Sequence, residues 1–124
     1  MKLKKTKFKD LVIIEGISHK DQRGYLREVL LERVIKKKFN FFIASKSKKN
    51  VLRGLHFQKN KPQGKYISVI KGKIFDVTVD IRKKSKTFGK SFSIILSDSN
   101  CKSLYIPKGF AHAYYSFSNL NLVY

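Results

Sequence analysis

Two histidines stand where an imidazole could exchange protons with a bound molecule. His56 lies in Arg53-Gly54-Leu55-His56-Phe57-Gln58, and His112 closes Ile106-Pro107-Lys108-Gly109-Phe110-Ala111-His112. Imidazole titrates near neutrality, so it serves as a general acid or base without a large perturbation. Arg53 precedes His56 by three residues, and the turn Gln63-Gly64-Lys65 delivers a lysine soon after it. A cation so placed can stabilise a developing oxyanion or grip a phosphate. Asp76 and Asp80 follow in Phe75–Arg82, and Tyr124 lies in Leu122-Val123-Tyr124. Taken singly, each has an ordinary reading: a satisfied strand histidine, a surface lysine, a solvated charged strand. His19, in Ser18-His19-Lys20, reads as an exposed loop residue.

The elements that must hold these residues are strands. Phe75, Val77, Val79 and Ile81 alternate with Asp76, Thr78, Asp80 and Arg82, the period of an antiparallel strand with one apolar and one polar face. Strand signals recur at Val12–Ile14, Tyr25–Leu31, Phe41–Ser45, Leu52–Gln58, Lys65–Ile70, Lys73–Ile81, Ser91–Leu96, Ser103–Ile106, Ala111–Ser116 and Leu122–Tyr124. Gly- and Pro-bearing turns such as Lys71-Gly72 and Pro107-Lys108-Gly109 separate them. Many short strands with turns between them predict an all-β sandwich or barrel. Only Leu31–Phe39 reads as a helix, and a short one.

The 124 residues suffice for a single domain, and 42% hydrophobic content supports a packed core. Lys and Arg number 28 against 8 Asp and Glu, a net charge of +20. Such a balance favours anionic partners. The cations are scattered and carry no nucleic-acid motif, which weighs against a nucleic-acid binder. Cys101 is the lone cysteine, so no internal disulfide forms and no zinc spacing exists. No stretch has the length of a membrane span, and no secretory signal is apparent; a cytoplasmic, membrane-free protein is the expectation.

Taken together and in order, these segments resemble a known family. Arg23-Gly24 with Glu28, Arg53-Gly54-Leu55-His56, Gln63-Gly64-Lys65, Asp76-Val77 with Asp80-Ile81-Arg82, Ser85 with Thr87-Phe88-Gly89, and Pro107 with Gly109-Phe110-Ala111-His112 resemble successive signature blocks of the nucleotide-sugar 3,5-epimerases of the dTDP-4-dehydrorhamnose type. The resemblance runs from about Asp21 to Tyr124. It implies a jelly-roll cupin, usually a homodimer, with no metal and no other cofactor, acting on a dTDP-linked 4-keto-6-deoxy hexose. His56 matches the base, Tyr124 the acid on the opposite face of the sugar, and Lys65 the group that stabilises the enolate. Arg23, Glu28, Arg53, Lys65 and His112 match substrate-binding positions. A metal-bearing cupin is disfavoured independently, because there is no His-x-His and Arg53 and Lys65 would repel a cation.

Departures mark this chain. Leu26 stands where the family commonly has an aromatic, and Phe41 and Ile43 stand where it has Gln and Asn, positions that bear on nucleotide and sugar specificity. Family members also continue well beyond the position of Tyr124, so a C-terminal part of the cupin domain reads as missing. That part supplies the carboxylate that orients the catalytic histidine and an aromatic that stacks on the base. Alternatives are a single-centre epimerase, a 3,4-ketoisomerase, or a cupin that binds without turnover. Three structural expectations follow. The pleat must break near Gly54, because Arg53 and His56 are three residues apart and otherwise face opposite ways. Asp76 or Asp80 must lie near Lys65 or His56, orienting the histidine or pairing with the lysine. The backbone at Tyr124, with no strand after it, is expected to be poorly tied, so that the chain binds but turns over weakly or not at all.

Overall fold

Strand patterning in the sequence becomes twelve strands and one helical turn in a computed structural model that describes residues 1–124. The first half runs β1 (Lys2–Lys5), β2 (Val12–Glu15), β3 (Ser18–Asp21), β4 (Gly24–Arg27), α1 (Glu32–Ile35), β5 (Ala44–Ser47) and β6 (Leu52–His56). The second half runs β7 (Lys65–Lys71), β8 (Lys73–Asp80), β9 (Ser91–Ser97), β10 (Lys102–Ile106), β11 (Phe110–Ser116) and β12 (Leu120–Val123). A six-stranded sheet in the order β1-β2-β10-β7-β12-β5 faces a four-stranded sheet in the order β6-β11-β8-β9. The β3–β4 hairpin stands apart. This is the expected all-β sandwich.

The core lies between the sheets. Ile67 and Val69 of β7, Leu104 and Ile106 of β10, Leu120 and Leu122 of β12, Ile74 of β8 and Leu96 of β9 pack there with Phe8 and Leu11. A smaller cluster covers the outer side of the six-stranded sheet, where Ile14, Ile35 and Tyr66 meet Val29, Leu30 and Phe39. α1 is one turn, closed by Lys36 in the left-handed region. Its Ile35 is buried and its Glu32 carboxylate accepts the Phe39 backbone N–H at 3.1 Å. That anchorage sets Phe39 and its neighbours along one rim of the cleft described below.

The alternation in β8 is real, and its polar side is the inward one. Asp76, Thr78 and Asp80 are fully buried, while Phe75 is 39% exposed and Val77 and Val79 are half-buried. A strand whose carboxylates point inward must find partners for them, and the two aspartates do so differently.

The break expected near Gly54 is present. His56 pairs with His112 and Arg53 with Tyr114, so Gly54 and Leu55 together oppose Ala113 alone. This is a β-bulge, and it turns Arg53 and His56 to the same side of the sheet. Gly54 has φ +110°, and a Cβ there would lie 2.5 Å from the His112 carbonyl oxygen and 2.7 Å from Ala113 Cα. Gly54→Ala is therefore expected to destabilise the protein by about 2–3 kcal/mol through backbone strain and contact with β11. Thermal denaturation checks this; an unchanged melting temperature would contradict the bulge as described.

Candidate active site

The bulge, β7 and the end of β12 converge on one cleft between the sheets. Its narrow inner part encloses about 150 Å³ and is lined by Arg53, His56, Lys65, Ile67, His112, Tyr114 and Tyr124. Its wide outer part encloses about 720 Å³. His56, Lys65 and Tyr124 line both parts. The outer wall is largely aromatic and apolar, with Phe39, Phe41, Ile43, Phe57, Tyr66 and Tyr105, and Lys37, Lys38 and Lys108 stand at its rim. No carboxylate lines either part. A cationic cleft of this composition suits an anionic ligand with a flat or apolar portion.

Each polar group is held by an identifiable element. Arg53 donates through Nε to the Ser47 hydroxyl at 3.0 Å and through Nη2 to the Lys46 carbonyl at 3.3 Å. Ser47 in turn shares a 3.0 Å hydrogen bond with the Tyr114 hydroxyl. Arg53 thus links β6 of one sheet to β5 of the other across the cleft. His112 lies directly across from His56 in the ladder and is bound through Nε2 to Asp76 Oδ2 at 2.8 Å. The His56 ring is exposed and has no hydrogen-bonding partner within residues 1–124. Lys65 is half-buried; burial pushes its pKa below the ordinary lysine value, and the charge of Asp76 opposes that shift.

Tyr124 is better anchored than its position in the sequence suggested. Its amide donates to the Ile43 carbonyl at 3.0 Å, and its carbonyl accepts the Ile43 amide at 2.7 Å. This reciprocal pair continues the β5–β12 ladder and corrects the expectation of a loose backbone there.

Of the two aspartates, Asp80 departs from the expectation and Asp76 departs from it only in which histidine it meets. Asp80 lies near neither His56 nor Lys65 by any contact. It receives Arg82 Nη2 at 2.7 Å, Arg82 Nε at 2.9 Å, and the Ser85 and Thr87 hydroxyls each at 2.6 Å. Four residues along a strand span about 13 Å, which carries Asp80 away from the level of Asp76. The Asp80–Arg82–Ser85–Thr87 block is a clasp closing the β8–β9 connection. Asp76 does face the cleft side, but it bonds His112 and not His56. β11 runs between β6 and β8, so His56 is two strands away, about 10 Å.

Arg23 and Glu28 are not among the residues lining the cleft. Arg23 caps the exposed tip of the β3–β4 hairpin and pairs with Asp21 at 2.7 Å, with 91% of its side chain exposed. Glu28 follows β4 and is also exposed. Arg27 pins the hairpin to the six-stranded sheet, donating to the Val69 carbonyl at 3.0 Å and the Ser68 hydroxyl at 3.1 Å. Sequence reasoning missed Ser47, Tyr114, Tyr105 and the rim lysines. Only Tyr114 carried a signal, because it follows His112 by two residues and so shares its face.

The sequence matches the profile of the family described as dTDP-4-dehydrorhamnose 3,5-epimerase over residues 5–124. The chain belongs to this family. Relatives of the same description share 43% identity over 120 residues in Methanothermobacter thermautotrophicus and 45% over 121 residues in Salmonella typhimurium. These matches cover 93% and 92% of this chain but 65% and 66% of the relatives, so the chain spans just under two thirds of their length. Among solved structures, a 3,5-epimerase of Legionella pneumophila in complex with dTDP-4-keto-L-rhamnose superposes with a TM-score of 0.90 and 40% identity. It is covered over 98% of this chain and 68% of its own. A Bacillus anthracis dTDP-4-dehydrorhamnose 3,5-epimerase with TDP and pyrophosphate bound gives 0.90 and 38%, covering 98% and 74%. The epimerase family fold, a cupin-type sandwich, is thus the fold of this chain.

Proposed function

We propose that this chain epimerises C3 and C5 of a dTDP-linked 4-keto-6-deoxy hexose. The observation that carries the reading is the placement of His56, Lys65 and Tyr124 around one cleft, contributed by β6, β7 and the residue after β12. The family membership and the ligands named in the relatives' structures support it. Hydrogens on the carbons flanking the C4 ketone are acidic enough to be removed. His56 takes the proton from one face, Lys65 stabilises the charge gathering on the C4 oxygen, and Tyr124 returns a proton to the other face. Arg53 and His112 hold the sugar at the inner end. The rim lysines face the diphosphate, and the aromatic outer wall faces the base. The reaction is redox-neutral and proceeds by proton transfer alone, so it calls on no cofactor. Titration with a dTDP-linked hexose tests the binding half of this reading. Saturable binding that weakens with salt and perturbs the NMR signals of His56 and Lys65 is expected; no perturbation at either residue would contradict it.

The working unit is a homodimer. Leu52, Tyr115, Phe75 and Ile95 form a cross-strand row on the outer face of the four-stranded sheet. Leu52 is 67% exposed and Leu55 55%, an apolar surface suited to a second copy. Phe75→Asp is expected to convert a dimer to a monomer in analytical ultracentrifugation, because it buries a charge in the contact. A wild-type protein that sediments as a monomer at all concentrations would contradict the pairing. No helix is long and apolar enough to cross a membrane. A nucleotide-linked substrate and a buried free thiol at Cys101 favour the reducing cytoplasm.

A further inference from the structure

Asp76 and Asp80 lie four residues apart on the inner face of β8, both without solvent exposure. Asp80 is saturated by the Arg82 fork and two hydroxyls. Asp76 receives one hydrogen bond, from His112, and its Oδ1 is buried without a partner. A buried carboxylate kept only for stability would be satisfied as Asp80 is, because an unpaired buried acceptor costs stability. Asp76 also stands behind the only two polar groups of the inner cleft that it influences, His112 and Lys65.

We propose that Asp76 is the positioning residue of this site. It fixes the His112 ring with Nε2–H toward the carboxylate and Nδ1 toward the cavity, and it is the counter-charge to the Lys65 ammonium. The groups lining the cleft around Lys65 offer no other counter-charge. Arg53 and His56 face the inner cleft from β6, His112 and Tyr114 from β11, and Tyr124 from beyond β12; none is a carboxylate. Lys37, Lys38 and Lys108 at the mouth add further positive charge. Burial pushes the Lys65 pKa below the ordinary lysine value, and the charge of Asp76 opposes that shift. A protonated Lys65 is the better donor to an enolate oxygen. The effect on turnover rests on the epimerase reading above; the effects on the His112 tautomer and Lys65 charge do not.

Asp76→Asn keeps the shape and removes the charge. By ¹⁵N NMR, His112 in the wild-type protein is expected to carry its proton on Nε2, and the substitution is expected to shift that tautomer balance toward Nδ1. The Lys65 titration is expected to move to lower pH in Asp76→Asn. The alkaline limb of the kcat profile then follows it to lower pH, with kcat falling more than KM changes. In a Lys65→Arg background, where the cation no longer titrates in this range, Asp76→Asn is expected to leave the limb in place. A folded Asp76→Asn protein with His112 and Lys65 both unmoved overturns the proposal, even if turnover is normal. Shifted His112 and Lys65 signals without turnover on any dTDP-linked 4-keto sugar overturn the epimerase reading and uphold this one. Should Asp76→Asn fail to fold, the wild-type protein decides: His112 protonated on Nδ1 alone, or Lys65 titrating with the exposed lysines, overturns it.

Discussion

Replacing His56 with asparagine is expected to lower the rate of epimerisation by about 10²–10⁴-fold, the usual contribution of a positioned general base. Of the two cleft histidines His56 is the one without a protein partner, on the strand that the Gly54 bulge turns into the cleft. Asparagine keeps a similar size and hydrogen-bonding capacity and cannot accept the proton at neutral pH. The ring is exposed, so its loss removes no core packing and stability should change little. Binding of the sugar nucleotide should persist, because Arg53, His112 and the lysines remain. Steady-state kinetics with a folding control check this. A loss of less than tenfold would move the base elsewhere, with His112 the next group to test.

The largest expected effect on stability comes from Asp80→Asn. Burial by itself would raise the Asp80 pKa; the Arg82 fork and the Ser85 and Thr87 hydroxyls outweigh it and hold the carboxyl far below the usual carboxylate range. Breaking a buried pair by removing one partner costs about 3–5 kcal/mol, and Arg82 retains some contact with water, so the lower end applies. That corresponds to a drop in melting temperature of roughly 10–15 °C. The pH dependence carries a definite sign. The native pKa is depressed, so the stabilisation is complete above the unfolded carboxylate value of about 3.9. It is lost as pH falls from there toward the native value, because the unfolded chain then binds a proton that the native state refuses. Thermal melts from pH 7 down through the acid range should show wild type losing an advantage that Asp80→Asn never had. Parallel melting curves for the two proteins at every pH would contradict the clasp.

The sequence conveyed the strands that alternate or carry branched and aromatic residues, because those features are what a half-buried pleat selects. β7 to β11 emerge within about a residue of their expected limits. β1 was invisible: Lys2–Lys5 is almost all lysine, and it survives as an exposed edge paired only to β2. β3 was hidden for the same reason, as a polar strand whose sole partner is β4. Phe41–Ile43 has strand-like composition but forms the cleft wall, and β5 begins only at Ala44. The gathering of Arg53, His56, Lys65 and His112 was legible only through the family resemblance, with a bulge at Gly54 required to bring Arg53 and His56 to one side. The partner of Asp76 was not. Which histidine a buried carboxylate meets depends on which strand lies between them, and local patterning carries no record of strand order. Arg23 and Glu28 expose a similar gap, since a motif match does not by itself place residues at a cleft.

Inversion of carbon in this cleft by proton transfer at opposite faces of the sugar leaves a direct signature in the sugar's own hydrogens. ¹H NMR of a dTDP-linked 4-keto-6-deoxy hexose in D₂O, with the protein added, tests it most directly. The expected result is loss of the H3 and H5 signals together with the coupling pattern of the inverted sugar, and, for Tyr124→Phe, exchange without inversion. Unchanged H3 and H5 signals from a protein that binds the sugar nucleotide would contradict the claim. So would full inversion by the Tyr124→Phe protein, which would remove the acid from the mechanism.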